Sequence, residues 1–248
     1  VSRIKIKMIL IGHMPLGLQL SKVKKWKSSV FSIEGSIEPY VLRCDSDGYG
    51  WEFSDELLVE QFPKERNVDL TVAIVNVPLE MNWYARRLGG NRIAFTFHEI
   101  KDILEHFNIP LENAILRVLY AYSLLYLRSG GQIPDYGALP GYTHDETRGC
   151  LFDMNGIKTD IIASCHFPKI CDECEERLKQ DRVSTSTIEK TNKEIKKIKK
   201  DLYFRIADSI KKHPIAALAL SGLIALAIGV ASSFMATVLM GMMANGLD

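Results

Sequence analysis

The chain has 248 residues and balances 31 Lys or Arg against 30 Asp or Glu, for a formal charge of +1, with 47% hydrophobic side chains and five cysteines. The near-zero charge hides an asymmetry. Residues 1–184 are mildly acidic, while nine cations crowd residues 190–212, beside a long uncharged run, so the basicity argues against a nucleic-acid partner and for a membrane edge.

Residues 4–11 (IKIKMILI) read as a buried first strand that ends on Gly12, and residues 16–26 as a short helix. Residues 1–20 carry basic side chains but only a short apolar stretch with a Gly-Pro break, which does not make a signal peptide. Residues 41–53 hold an Asp-Ser-Asp-Gly turn, Asp45 to Gly48, between strand-like stretches and predict a hairpin or loop. A short helix is expected over 55–62. The run LTVAIVNV at 70–77 is the strongest strand signal, continuous and β-branched as in a strand covered on both faces.

Trp83, Arg86 and Arg87, before Gly89 and Gly90, suit a phosphate- or nucleotide-binding loop, against a surface hairpin with its aromatic ring turned inward. Residues 92–97 predict the next strand. Residues 111–127 predict the longest soluble helix, with Leu111, Ile115, Val118, Leu119, Tyr122, Leu125 and Tyr126 on one broad apolar face. Strands followed by helices in this order predict an α/β domain, layered as in α+β folds, over residues 1–183. That length is enough for one sizeable core. A Gly/Pro-rich loop at 130–141, which includes Gly137, lacks the Gly-Lys-Ser/Thr ending of a phosphate loop.

Residues 144–178 carry the chemistry. Cys171 and Cys174 stand two residues apart, a spacing that lets two thiolates grip one tetrahedral ion from a tight turn, while Cys150 supplies a third donor. The fourth is open between His144, Cys165 and His166. Five cysteines in a chain expected to face the cytosol argue against a disulfide framework. One structural zinc per chain is the expectation, with a redox-active Cys-x-x-Cys as the competing reading; the acids flanking that pair would raise its thiol pKa and blunt its reactivity.

Residues 184–213 predict a basic amphipathic stalk with Ile188, Thr191, Ile195, Ile198 and Leu202 at coiled-coil spacing, either pairing with a neighbouring stalk or packed on its own domain. Residues 214–244 then contain no charge. Thirty-one residues at 1.5 Å each make a helix of about 46 Å, long enough to cross a hydrocarbon core of about 30 Å with tilt. Ala217, Ser221, Ala225, Gly229, Ser233, Thr237 and Gly241 recur every four residues, forming a slanted groove that admits a second helix. The cations before the run put residues 1–213 in the cytoplasm and the short tail, 245–248, across a single-pass membrane helix. Lys211 and Lys212 fall at the headgroups, where they attract anionic lipid.

Cys150, the later Cys-x-x-Cys and the order of strands before them resemble the archaemetzincins, small zinc metalloproteases, at a distance and over residues 1–178. Their motif is HExxHxxGxxH followed at once by a cysteine, then by a second cysteine, a methionine and a Cys-x-x-Cys. In this resemblance His144 matches the third histidine, Asp145 the first cysteine, Cys150 the second, Met154 the methionine, and Cys171 with Cys174 the closing pair. It implies a metzincin-like fold that keeps a structural zinc. No HExxH exists in this chain: the helix at 111–127 offers Leu, Val, Tyr and Ala where the catalytic ligands belong, so no catalytic residue is assigned. A substitute metal set of His98, Asp102 and His106, with Glu99 beside it, requires all of these on one helix.

The expectation is therefore a membrane-tethered, non-catalytic zinc domain that acts as sensor, scaffold or effector on a cytosolic protein or small ligand and self-associates through its membrane helix. A membrane effector in bacterial stress or antiviral defence fits that layout by analogy. A metalloprotease with an atypical ligand set and an oligomeric pore are the alternatives. The absence of charge within the span counts against the pore.

Overall fold

A computed structural model describes residues 3–63, 67–135, 138, 143–153 and 157–244, with the side chains of 241–244 excepted. The chain forms two compact units, Val1–Lys200 and Asp201–Asp248.

The first unit is a mixed α/β domain. Its strands are β1 (Ile4–Ile11), β2 (Phe31–Ile33), β3 (Glu38–Tyr40), β4 (Leu70–Val75), β5 (Ala85–Arg87) and β6 (Arg92–Thr96). They pair in the order β2-β1-β4-β6-β5, parallel throughout except for the antiparallel β5–β6 edge. β3 also pairs with β1: the first half of β1 takes β2 (Ile4 opposite Phe31) and its second half takes β3 (Ile9 opposite Glu38). Every residue of β4 is buried, as a central parallel strand requires.

Alternation along the strands supplies two cores. Ile6, Met8, Leu10, Val72 and Ile74 face one side of the sheet, against the long helix; Ile9, Ile11, Ala73 and Val75 face the other, against Phe53, Leu58 and Phe62. Helices α1 (Leu20–Lys24), α2 (Asp55–Gln61), α3 (Ile100–His106) and α4 (Leu111–Arg128) complete this part. The Ser54 hydroxyl caps α2 by accepting the Leu57 N–H at 3.2 Å. Of the hairpin or loop expected around 45–48, the structure has the loop. The Asp47 carboxylate accepts the Ser54 N–H at 2.9 Å, and a 3-10 turn spans Tyr49–Trp51.

α4 departs from the single apolar face expected of it. Residues on all sides of it are buried, Glu112, Asn113 and Arg117 among them, because it is a central core helix rather than a surface one. Three short helices follow: α5 (Ile161–Ser164), α6 (Asp172–Gln180) and α7 (Thr185–Ile195).

α7 opens the segment expected as a stalk, and the first half of that segment belongs to the domain. Ile188, Thr191, Ile195 and Ile198 are buried, the three isoleucines within the first core. The Glu194 carboxylate accepts hydrogen bonds from the Tyr120 hydroxyl at 2.6 Å, the Ser28 hydroxyl at 2.8 Å and the Ser29 N–H at 2.8 Å. Residues with coiled-coil spacing thus serve an internal contact. The first compact unit runs to Lys200.

The second unit holds α8 (Leu202–Lys212) and α9 (Pro214–Ala244). Within α9, Pro214–Met240 is long and apolar enough to cross a membrane, and none of it is buried. Along its four-residue repeat the Ser221 hydroxyl donates to the Ala217 carbonyl and the Thr237 hydroxyl to the Ser233 carbonyl, both at 2.9 Å. Both hydroxyls are thereby satisfied within their own helix. Gly241 lies in α9. Residues 245–248 fall outside the described residues, as do Met154 and Gly137.

Candidate metal centre

His144, Cys150, Cys171 and Cys174 come together, all buried, with their four donor atoms within 4.8 Å of one another. Bridges, a turn, a glycine and a helix start build this cluster. A bridge pairs His144 with Asp153, and a turn returns the Asp153 N–H to the Cys150 carbonyl at 3.1 Å. A second bridge pairs Cys150 with Lys169, which leads directly to Cys171. Gly149 has φ +71°, and a Cβ there would stand 3.1 Å from the Ala163 carbonyl oxygen, so the chain needs glycine beside the ligand. Cys171 caps α6 and Cys174 sits in its first turn, which brings the two thiols to one side.

The donor set fits zinc. Zinc–sulfur bonds of about 2.3 Å and zinc–nitrogen bonds of about 2.0 Å place tetrahedral donors roughly 3.5–3.8 Å apart. The His144 Nε2 lies 3.6 Å from the Cys171 Sγ. Three unbridged thiols and an imidazole, converging in a buried place, suit one structural zinc. The Cys150 thiol is pulled well below its ordinary value by the hydrogen bond from Cys174, helped by the backbone N–H groups of Cys171 and Phe152; Cys174 is pushed up in turn. A thiol lowered in this way yields its proton to a metal more readily. Of the acids after Cys171, Glu173 pairs with Arg148 at 2.7 Å and also with Arg177, and Glu175 with Lys179 at 2.7 Å.

The surrounding residues were not legible in the sequence. Asp153 is buried and orients the site: its Oδ2 accepts the N–H groups of Arg148 at 3.0 Å and Cys150 at 2.8 Å, and its Oδ1 lies 3.3 Å from the His144 Nδ1. The same Nδ1 lies 2.9 Å from the Glu146 carbonyl oxygen. A histidine whose second nitrogen is held this way presents Nε2 to a metal. Behind Asp153 stands Arg117, fully buried in α4. Its Nε donates to the Ser164 hydroxyl at 2.6 Å, its Nη2 to the Asp153 carbonyl, and its guanidinium lies 5.6 Å from the Tyr84 ring centre. The Tyr84 hydroxyl donates to the same carbonyl at 3.1 Å, and the Asn113 amide to the Cys165 carbonyl at 2.9 Å. The one signal available was an arginine and an asparagine inside the apolar run of α4.

The other candidates are placed elsewhere. Cys165 is an isolated buried thiol pushed up to about 12 by burial, and the His166 Nδ1 accepts the Lys200 N–H at 3.1 Å. Neither joins the cluster; His144 does. His144 therefore sits with the cysteines rather than apart from them as a third catalytic-type histidine, and Asp145, matched to a cysteine, is exposed. His98, Asp102 and His106 do not share a helix, because Glu99 has φ +62° and α3 begins only at Ile100. The Glu99 carboxylate accepts a hydrogen bond from the Lys158 Nζ at 2.9 Å, which holds its carboxyl below the usual range. Arg86 is buried and bonded to Asp55, with the Nε at 2.8 Å, and Arg87 donates to the Pro134 carbonyl at 3.0 Å. The Trp83–Arg87 segment thus leads into an edge strand, and its arginines are engaged within the protein.

The class is then defined: an α/β domain with a closed metal site of one histidine and three cysteines, joined to a second unit that carries a long exposed apolar helix. No protein-family model matches the chain, and no curated protein matches it. Among solved structures the chain is similar to the crystal structure of archaemetzincin from Methanopyrus kandleri, at 12% identity and a TM-score of 0.41, over 73% of this chain and 96% of that one. The likeness is distant, as is the resemblance drawn from the cysteine spacing.

Proposed function

We propose that this protein is a membrane-tethered, zinc-stabilised domain of metzincin-like descent whose work is binding rather than catalysis. The carrying observation is that all four donors of the metal site come from the protein. A catalytic zinc keeps one position open for water or substrate, whereas a site closed by three thiols and an imidazole holds the fold together. Zinc would fasten the 144–153 turn to the start of α6. Asp153 and Arg117 keep the imidazole and the turn in place for it. The domain then serves as a sensor, scaffold or effector for a cytosolic protein or small ligand, and α9 fixes it to the bilayer. The cations at 190–212 support a cytoplasmic face for the domain. The four-residue repeat of small side chains supports pairing of α9 with a second copy.

The test uses the full chain in detergent. Elemental analysis is expected to give one zinc per chain, lost in Cys171→Ser/Cys174→Ser and retained in Cys165→Ala, and the chain is expected to stay in membranes through alkaline carbonate washing. A second zinc that survives the double substitution would overturn the non-catalytic reading, and extraction by carbonate would overturn the tether.

A further inference from the structure

α8 carries an apolar face that the fold leaves uncovered. At 100° per residue, Leu202, Tyr203, Ile206 and Ile210 fall within one band of the helix, and they are 65%, 74%, 51% and 50% exposed. Arg205, Asp208, Lys211 and Lys212 lie outside that band. Four large apolar side chains on so short a helix are the pattern of a face that something covers.

Its position in the chain says what. α8 ends at Lys212, and α9 begins two residues later with Pro214, a residue suited to the first turn of a helix. His213 between them has φ −133° and ψ 63°, outside helical geometry, so the two helices are separate segments whose axes need not continue one another. If α9 crosses the bilayer from Pro214, α8 ends within a few residues of the headgroups. An apolar face held there in water would have its last residue, Ile210, four residues before Pro214 and a hydrocarbon slab able to cover it. The remaining chemistry agrees: Tyr203 has an apolar ring with a polar tip, the combination found at membrane interfaces, and Arg205, Lys211 and Lys212 can meet anionic headgroups while the stripe faces the acyl chains.

We propose that α8 is an interfacial helix that lies in the plane of an anionic leaflet, with Leu202, Tyr203, Ile206 and Ile210 buried at the boundary between headgroups and acyl chains. This rests on the tethered reading of α9. It makes the membrane contact of the protein two-part, a spanning helix and a surface helix.

The experiment uses the full chain in phosphatidylcholine vesicles containing phosphatidylglycerol, with or without lipid brominated on its acyl chains. The three native tryptophans, Trp26, Trp51 and Trp83, all belong to the first unit, so emission added by Tyr203→Trp reports on α8. The expected result is loss of that added emission with brominated lipid, and its recovery when Ile206→Lys and Ile210→Lys are introduced as well. A chain that resists carbonate extraction while the added indole escapes bromine quenching overturns the interfacial helix and leaves the tether standing. Protection of that indole from aqueous iodide in the same unquenched sample would identify protein, a second copy or the first unit, as what covers the face, and equally overturns the proposal. A chain that carbonate extracts removes the tether and this proposal together.

Discussion

Replacing Asp153 with alanine tests the metal centre through a residue that contributes no ligand. Its Oδ2 takes two backbone N–H groups, at 3.0 and 2.8 Å, and its Oδ1 stands 3.3 Å from the imidazole nitrogen opposite the one that faces the thiols. Removing the partner of a metal-bound histidine lowers metal affinity by about 10- to 100-fold, which corresponds to about 1.4–2.7 kcal/mol. The substitution also leaves two N–H donors without an acceptor, at a cost of about 1–3 kcal/mol each where water cannot reach them. Asp153→Asn keeps one acceptor oxygen and should fall between parent and alanine variant. The assay is competition for zinc against a chromophoric chelator, followed by thermal unfolding of the loaded protein. If Asp153→Ala holds zinc as tightly as the parent, the Glu146 carbonyl at 2.9 Å from the same Nδ1 is enough to hold the imidazole, and the role given to Asp153 in building the site fails.

Two further outcomes are expected. Ile195→Ala should destabilise the first unit by about 2–5 kcal/mol in denaturant unfolding, because Ile195 is fully buried; a solvated stalk would show a change within about 0.5 kcal/mol. Burial opposes ionisation of Glu194, but the hydrogen bonds from Ser29, Tyr120 and Ser28 outweigh it and hold its carboxyl below the usual value. With the folded pKa below the unfolded one, the attachment of α7 is fully stabilised above the unfolded value, about 4.3, and weakens as pH falls through the folded value. Protection factors of the α7 amides, taken relative to the intrinsic exchange rate at each pH, should therefore fall on acidification in the parent, and in Glu194→Gln should be low already at neutral pH and little changed by acid.

Features encoded locally were legible in order along the chain. β4 announces itself because a strand buried on both faces is a continuous apolar run, β1 and β6 because their apolar residues lie close together in short β-branched or aromatic stretches, and α9 because 31 residues pass without a charge. The Cys-x-x-Cys spacing is likewise a property of one turn, and it names two donors without help from the rest of the fold. What the amino-acid order alone left open depends on residues that meet only after folding. β2, β3 and β5 are three residues each, too short to show a period, and exist because β1 and β6 offer them an edge. The amphipathic pattern over 184–200 states only that one face must be covered; that the first core covers it, through Ile188, Ile195 and Glu194, is a tertiary outcome. The same holds for the fourth metal ligand. The sequence put His144 ahead of Cys165 and His166 without deciding among them, and folding decides it: His144 reaches the three cysteines with its Nδ1 held 2.9 Å from the Glu146 carbonyl oxygen, while Cys165 is buried apart from them. Local periodicity thus determined the elements and the kind of metal donor, and three-dimensional packing decided which residues complete the site, because burial and hydrogen-bond geometry are properties of neighbours distant in sequence.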